Sequence, residues 1–190
     1  MIAIRRARPA DAEAIAEVHV ATWRSAYPGI LPEDYLADLS ARRQTMLWRR
    51  TLIAPKSGHA TFVAVATGSD SPDPLSPTVV GFASGGRARD STRRDAGEIE
   101  TLYVADDWRD RGVGRRLMRA LAAHLNAVGC RSVVLWVLKD NPARWFYRRL
   151  GGRPVAEQTI TVAGRAVVQT AYLWEPIGAL LAATEPTAER

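Results

Sequence analysis

The sequence is poor in the residues that would mark several common classes of protein. Cys130 is its only cysteine, so no intrachain disulfide can form and a cytoplasmic protein is expected. Lysine occurs only at Lys56 and Lys139. The positive charge is therefore almost all arginine, scattered along the chain rather than massed in one tract. No apolar run approaches the roughly 18–20 residues that cross a bilayer. The start, Met1-Ile2-Ala3-Ile4-Arg5-Arg6, reads as a strand and lacks the apolar centre of a signal peptide. His19, His59 and His124 have no metal-like spacing, so no metal site is expected. Cys130 reads as a buried, inert thiol.

What is present suits one globular domain of 190 residues. The net charge is +6 and the pI about 10.1. That balance admits nucleic acid, a membrane surface or a polyphosphate ligand. With no nucleic-acid motif and no basic tract, a phosphorylated ligand is favoured over the other two.

Local signals give an alternating order of elements. Residues 2–7 read as a strand. A helix follows Pro9, with Ile15, Val18 and Trp23 on its apolar face, and Tyr27-Pro28-Gly29 ends it. A short helical segment runs from Pro32 to Leu39. Ser40 is placed to cap a helix over 41–53. Residues 60–66 and 78–84 read as strands joined by a proline-rich loop. A second polar loop spans 85–96. Strands at 97–104 and 131–138 alternate with helices at 112–128 and 142–150, ended by Gly129 and Gly151. Residues 159–163 and 167–174 form a closing hairpin. The tail after Pro176 is expected to be frayed or only partly helical. The resulting class is α/β, with a sheet of about seven strands and helices on both faces.

The most informative stretch is Tyr103 to Met118. A strand ends in a polar turn, which becomes an Arg- and Gly-rich loop that opens into a long amphipathic helix. A helix start with few bulky side chains is an anion site, because its first N–H groups have no intrahelical partner. The ligand suggested is a large phosphorylated cofactor. A dinucleotide fingerprint is excluded, since Leu117 stands where the third glycine of G-x-G-x-x-G would be. A P-loop is excluded because no G-K-[ST] follows.

The pattern Arg109-x-x-Gly112-x-Gly114 resembles the acetyl-coenzyme A signature Q/R-x-x-G-x-G/A of the GNAT acetyltransferases. Glu98 to Val104 is similar to that family's fourth strand, which ends Leu-Tyr-Val. Asn141 to Gly151 is similar to its later motif, roughly N-P-x-A-x-x-F-Y-x-x-L-G. The segment Trp23 to Pro32 also resembles a form common among bacterial members. The element order agrees over about 1–174. Two departures stand out. The Asn141–Tyr147 segment is one residue shorter than usual. Gly152 stands where an aromatic residue often follows the helix, so strand six is expected to begin more loosely.

The resemblance implies one domain over 1–175 with a tail at 176–190. It also implies a mixed sheet splayed between strands four and five, and acetyl-coenzyme A as cosubstrate. The diphosphate would lie against Arg109, Arg111, Gly112, Val113, Gly114 and Arg115, with countercharge from Arg115 and Arg116. Leu102, Tyr103 and Val104 would flank the pantetheine arm. A backbone N–H near Val104 would polarise the acetyl carbonyl. Asn141 would either touch the arm or cap the turn before Pro142. Tyr147 matches the tyrosine placed near the thioester sulfur, where it would serve as the acid. Glu98 and Glu100 are the candidate bases. Two apart on a strand, they face one way and share the face of Leu102 and Val104, unless a bulge intervenes. Trp23 and Tyr27 are candidates for the acceptor pocket.

The function implied is transfer of acetyl to a primary amine of a small molecule or a peptide or protein, by direct attack in a ternary complex. The alternative is a non-catalytic acyl-coenzyme A sensor of the same fold. No nucleic-acid or membrane partner is expected, and a homodimer is admitted by the resemblance.

Overall fold

The computed structural model describes residues 1–71, 76–88 and 95–186. Seven strands form one sheet in the order β1-β2-β3-β4-β5-β7-β6. They are β1 (Ile2–Arg6), β2 (Ala60–Ala66), β3 (Thr78–Arg87), β4 (Ala96–Val104), β5 (Ser132–Leu138), β6 (Arg153–Val162) and β7 (Arg165–Trp174). The helices are α1 (Ala12–Ala26), α2 (Glu33–Ala37), α3 (Ala41–Ile53), α4 (Val113–Ala127), α5 (Arg144–Arg149) and α6 (Gly178–Ala183). The sheet is mixed: β4 and β5 run parallel and every other neighbouring pair is antiparallel.

The expected elements form where local chemistry placed them. The side chain of Asp11 accepts from the Arg8 backbone N–H at 2.6 Å and pairs with Arg5 at 2.7 Å, which fixes the turn into α1. Ser40 Oγ accepts from the Arg43 N–H at 3.3 Å and caps α3, as its sequence position predicts. Leu117, Leu121 and Leu125 recur every four residues on α4 and are fully buried. With Met118 and Ala122 they cover one face of the sheet, against Ala64, Val80, Ala83, Ile99 and Val133. On the other face Ile15, Ala16 and Val18 of α1 and Trp48 of α3 pack against Val63, Val65 and Phe82. A third apolar cluster joins Tyr27, Leu31 and Leu36 to Val167 of β7.

Two strand features position the site. The β4–β5 ladder pairs Ala96–Ile99 with Ser132–Leu135 and goes no further. Both strands continue, β4 to Val104 and β5 to Leu138, so their distal ends part. The second feature is a bulge. Ser84 pairs with Thr101 while Gly85 pairs with Ile99, which leaves Glu100 as the extra residue. Ile99 and Leu102 are three apart and would face oppositely in a regular strand, yet both pack on the α4 side. A Cβ on Gly85 would strike the Glu98 carbonyl oxygen, so the bulge requires glycine opposite it.

Three sequence expectations are revised. The strand after Gly152 begins at once, at Arg153, rather than at 159 or loosely. Trp174 supplies the missing aromatic bulk: a Cβ on Gly152 would lie 2.7 Å from its ring. The Trp174 indole N–H donates to the Leu150 carbonyl at 2.8 Å. The helix expected over 142–150 is shorter, because Asn141 to Ala143 form a tighter turn. The segment after Pro176 forms α6, with Leu180 fully buried and Thr184 buried beside it; the Arg119 guanidinium donates to the Leu181 carbonyl at 2.7 Å. Residues 187–190 of the tail, 72–75 of the proline-rich loop and 89–94 of the second polar loop lie outside the described residues.

His19 of α1 is enclosed by Trp23, Trp48, Phe82 and Tyr103. The Trp48 indole N–H donates to its Nδ1 at 3.2 Å, which demands an unprotonated Nδ1. Burial lowers its pKa to about 4, from 6.5. Because the folded value is depressed, the unfolded chain takes up this proton first as pH falls. The His19 contribution is thus intact above pH 6.5 and declines between 6.5 and 4, by up to about 3 kcal/mol. Denaturant titrations of the protein and of His19→Gln at pH 7 and pH 4 are expected to show the smaller pH loss in the variant.

Candidate active site

The parting of β4 and β5 opens a cleft of about 700 Å³. One end reaches the start of α4 and the other the end of α1. The hydrogen-bonding edge of β4 faces into it. Ala105 N–H donates to Val80 on the β3 side at 2.9 Å. N–H groups alternate along a strand, so those of Val104 and Leu102 turn to the opposite edge, where β5 has moved away.

At the α4 end, the chain leaves β4 through a single turn of 3-10 helix, Asp106–Trp108. It then passes through two left-handed residues, Asp110 (φ 58°) and Gly112 (φ 74°), before α4 begins. Gly112 is a glycine for its conformation, since nothing lies near its missing side chain. Gly114 is a glycine for space: a Cβ there would touch the Phe146 ring of α5 at 3.4 Å. Arg116 N–H is bonded to the Gly112 carbonyl at 3.1 Å as the helix takes up its ladder. The N–H groups of Gly112, Val113 and Gly114 precede it, at the positive end of the helix dipole.

The arginines divide. Arg109 and Arg115 line the cleft and Arg111 does not. Arg109 pairs with Asp106 at 2.6 Å and reaches Ser25 Oγ at 3.4 Å. Arg111 stacks over Trp108, 5.0 Å from the ring centre. The expected countercharge from Arg115 and Arg116 takes another form: Arg115 donates to the Glu185 carbonyl and Arg116 to the Ile2 carbonyl at 2.8 Å. Their side chains tie α4 to α6 and to β1.

The end of the β4–β5 ladder separates the two glutamates: Glu98 still pairs with Val134, and Glu100 lies beyond the last pair. Glu100 lines the cleft and Glu98 does not. Leu102 and Val104 pack on the α4 side, whereas the Glu100 carboxylate meets His59 Nε2 at 3.3 Å. The four residues therefore do not share a face, because the inserted residue resets the alternation. His59 is a site neighbour that the sequence reading missed. No local pattern marks it, since 41 residues separate it from Glu100 and only strand pairing joins them.

Tyr147 lines the cleft from α5 and is buried. Burial, and secondarily the nearby Tyr27, push its hydroxyl pKa well above the usual tyrosine value, so it holds its proton at neutral pH. Asn141 is buried at the end of β5. Its Oδ1 accepts from the Ala143 N–H at 2.8 Å, and its Nδ2 donates to the Tyr27 hydroxyl at 3.4 Å. It thus caps the turn into α5 and links it to α1. Trp23 and Tyr27 stack edge to face at 5.0 Å on the cleft wall at the α1 end. Cys130 is buried, and burial raises its thiol pKa. Among the described residues no group of three His, Cys, Asp or Glu could hold a metal ion. No described helix is long and apolar enough to cross a membrane.

A splayed parallel pair, a helix start at one end of the cleft and a buried tyrosine beside it define an acyl-transfer fold. Residues 13–152 match the Acetyltransferase (GNAT) family, and the chain belongs to it. It is 31% identical over 180 residues to a Bacillus subtilis protein described as uncharacterized N-acetyltransferase YuaI, covering 95% of this chain and 96% of that one. The PaiA N-acetyltransferase of Thermoplasma acidophilum, solved with coenzyme A, superposes with a TM-score of 0.65 at 18% identity, over 90% of this chain and 98% of that one. YncA of Salmonella typhimurium, a putative acetyltransferase solved with acetyl-CoA, superposes with a TM-score of 0.65 at 20% identity, over 92% and 93%. The protein is an N-acetyltransferase of the acyltransferase class.

The left-handed φ at Gly112 makes a test of the helix start. Gly112→Val is expected to lower stability by about 1–2 kcal/mol. It is also expected to raise the Kd for coenzyme A tenfold or more, measured by calorimetry on the folded variant.

Proposed function

We propose that the protein moves acetyl from acetyl-coenzyme A to a primary amine by direct attack in a ternary complex. The observation that carries this reading is the opened β4 edge, with an anion-binding helix start at one end and Glu100 and Tyr147 on the walls. These residues fit the cosubstrate. N–H groups of Gly112, Val113 and Gly114 would receive the diphosphate. Leu102 and Val104 would offer the pantetheine arm a strand edge, with Tyr103 anchoring that edge from the opposite face. Asn141 would act by holding the turn and Tyr27 rather than the arm. Arg109 and Arg115 border the diphosphate end, and Arg111 supports the loop from behind.

The chemistry needs three proton movements: two away from nitrogen and one onto sulfur. An alkylammonium is protonated near neutral pH and has no lone pair for attack. Glu100 accepts that proton, directly or through one water, with His59 orienting its carboxylate. The amine nitrogen then bonds to the thioester carbonyl carbon. The Val104 N–H donates to the oxygen as negative charge develops there. The carbon–sulfur bond breaks, Tyr147 gives its proton to the departing sulfur, and the new amide nitrogen sheds its second proton, which restores Tyr147 through solvent. A hydroxyl kept neutral by burial is suited to that donation. Glu98 lies off the cleft wall and has no part in this scheme.

Glu100→Gln is expected to lower kcat about a hundredfold, within the usual range for loss of a general base, while Glu98→Gln retains most activity. A large loss confined to Glu98→Gln in a coenzyme A release assay would move the base to that residue. Tyr147→Phe is expected to lower kcat tenfold or more with little change in the KM for acetyl-coenzyme A. An unchanged kcat would remove tyrosine from the acid role.

A further inference from the structure

Resting on that proposed activity, we infer that the acceptor is a primary amine on an apolar body, with no second cationic centre near it. The inference comes from the walls of the cleft beyond Glu100. There Trp23 and Tyr27 face Leu138, Ile160 and Val162 across the opening. All five belong to the third apolar cluster, in which the end of α1 packs against the β6–β7 hairpin. This half of the cleft is therefore walled by aromatic and branched aliphatic groups.

Charge sharpens the choice. Among the described residues, the ionisable acidic and basic side chains on the cleft wall are Glu100, Arg109, Asp110, Arg115 and Arg149. Arg109, Asp110 and Arg115 belong to the loop and helix start at the donor end. Arg149 is on α5, one turn beyond Phe146, which packs on Gly114 at the α4 start. One carboxylate remains to meet one ammonium. A polyamine or an aminoglycoside would bring further ammonium groups against Trp23, Ile160 and Val162, where they would lose water and meet no second carboxylate among the described residues. An aryl or branched alkyl group would instead bury apolar surface on both sides. Discrimination follows from the penalty on the wrong acceptor as much as from the fit of the right one. An arylalkylamine and a peptide beginning with an apolar residue share this chemistry.

The test is a coenzyme A release assay on the full chain, with phenylethylamine, a tetrapeptide beginning with leucine, spermidine and kanamycin as acceptors. The kcat/KM for phenylethylamine, the peptide or both is expected to exceed that for spermidine a hundredfold or more. The better of the two assigns the source as a small amine or a chain terminus. Spermidine or kanamycin turned over as well as or better than both apolar amines would overturn this inference and leave the acetyl transfer standing. Release with none of the four, in protein that binds acetyl-coenzyme A, would overturn the transfer reading and this inference together. Ile160→Glu places a second carboxylate on the wall. It is expected to raise KM for the apolar acceptor tenfold and to narrow its lead over spermidine. If its unfolding midpoint shows that it is not folded, Val162→Gln gives the KM rise by polarity alone. A folded variant with KM unchanged at both positions overturns the assignment of this wall.

Discussion

The arrangement depends on two parallel strands that pair for four residues and then separate. A parallel ladder between β4 and β5 that ran to the ends of both strands would consume the N–H groups of Leu102 and Val104 and leave no cleft. Separation exposes backbone groups that normally demand partners, so the flanks must hold it. On one side β4 is fixed to β3 and to α4 by Ile99, Leu102 and Leu117. On the other, β5 is fixed to β7, and the β6–β7 hairpin is packed against the end of α1. Both strands share the α4-side cluster, Ile99 and Leu102 from β4 and Val133, Leu135 and Val137 from β5, while only the β5 side also packs on the end of α1 through Leu138 and the β6–β7 hairpin.

The bulge at Glu100 lies where the β4–β5 ladder ends. It sends Leu102 and Val104 to the α4 side and turns Glu100 toward His59. A regular strand would have put Leu102 and Val104 on the face of the glutamates and kept Tyr103 out of the α1 cluster. Across the gap, the Asn141–Tyr27 contact spans from the end of β5 to the end of α1. Phe146 packs over Gly114, so the same short helix that carries Tyr147 also closes against the anion-binding helix start.

The many arginines do structural work that composition does not reveal. Arg5 fixes the entry to α1, Arg116 ties α4 to β1, and Arg119 ties it to α6. A guanidinium offers five donors in a fixed fork, well suited to backbone carbonyls left over at element ends. A high arginine count in this chain therefore describes how helices are fastened as much as what is bound. In the proposed reading, backbone N–H groups and the α4 dipole are the main attraction for the diphosphate.

The amino-acid sequence by itself determined the order of elements, the glycine-bearing start of α4, and membership of the GNAT family. Periodicity, caps and turn residues act over a few positions, and two motifs in the right order carry the rest. It also offered Glu100 and Tyr147, which line the cleft, beside Glu98, which does not. The tertiary structure alone decided which glutamate lines the cleft, because the β4–β5 ladder stops at Ile99, after Glu98 and before Glu100. It alone brought His59 to Glu100, 41 positions apart, and it alone drew Arg115 and Arg116 onto carbonyls of distant segments. It replaced the expected aromatic after Gly151 with Trp174 from another strand, since a cavity can be filled by whichever side chain packing brings there. Local residues specify local geometry; the site consists of contacts between segments, and only the packed fold chooses them.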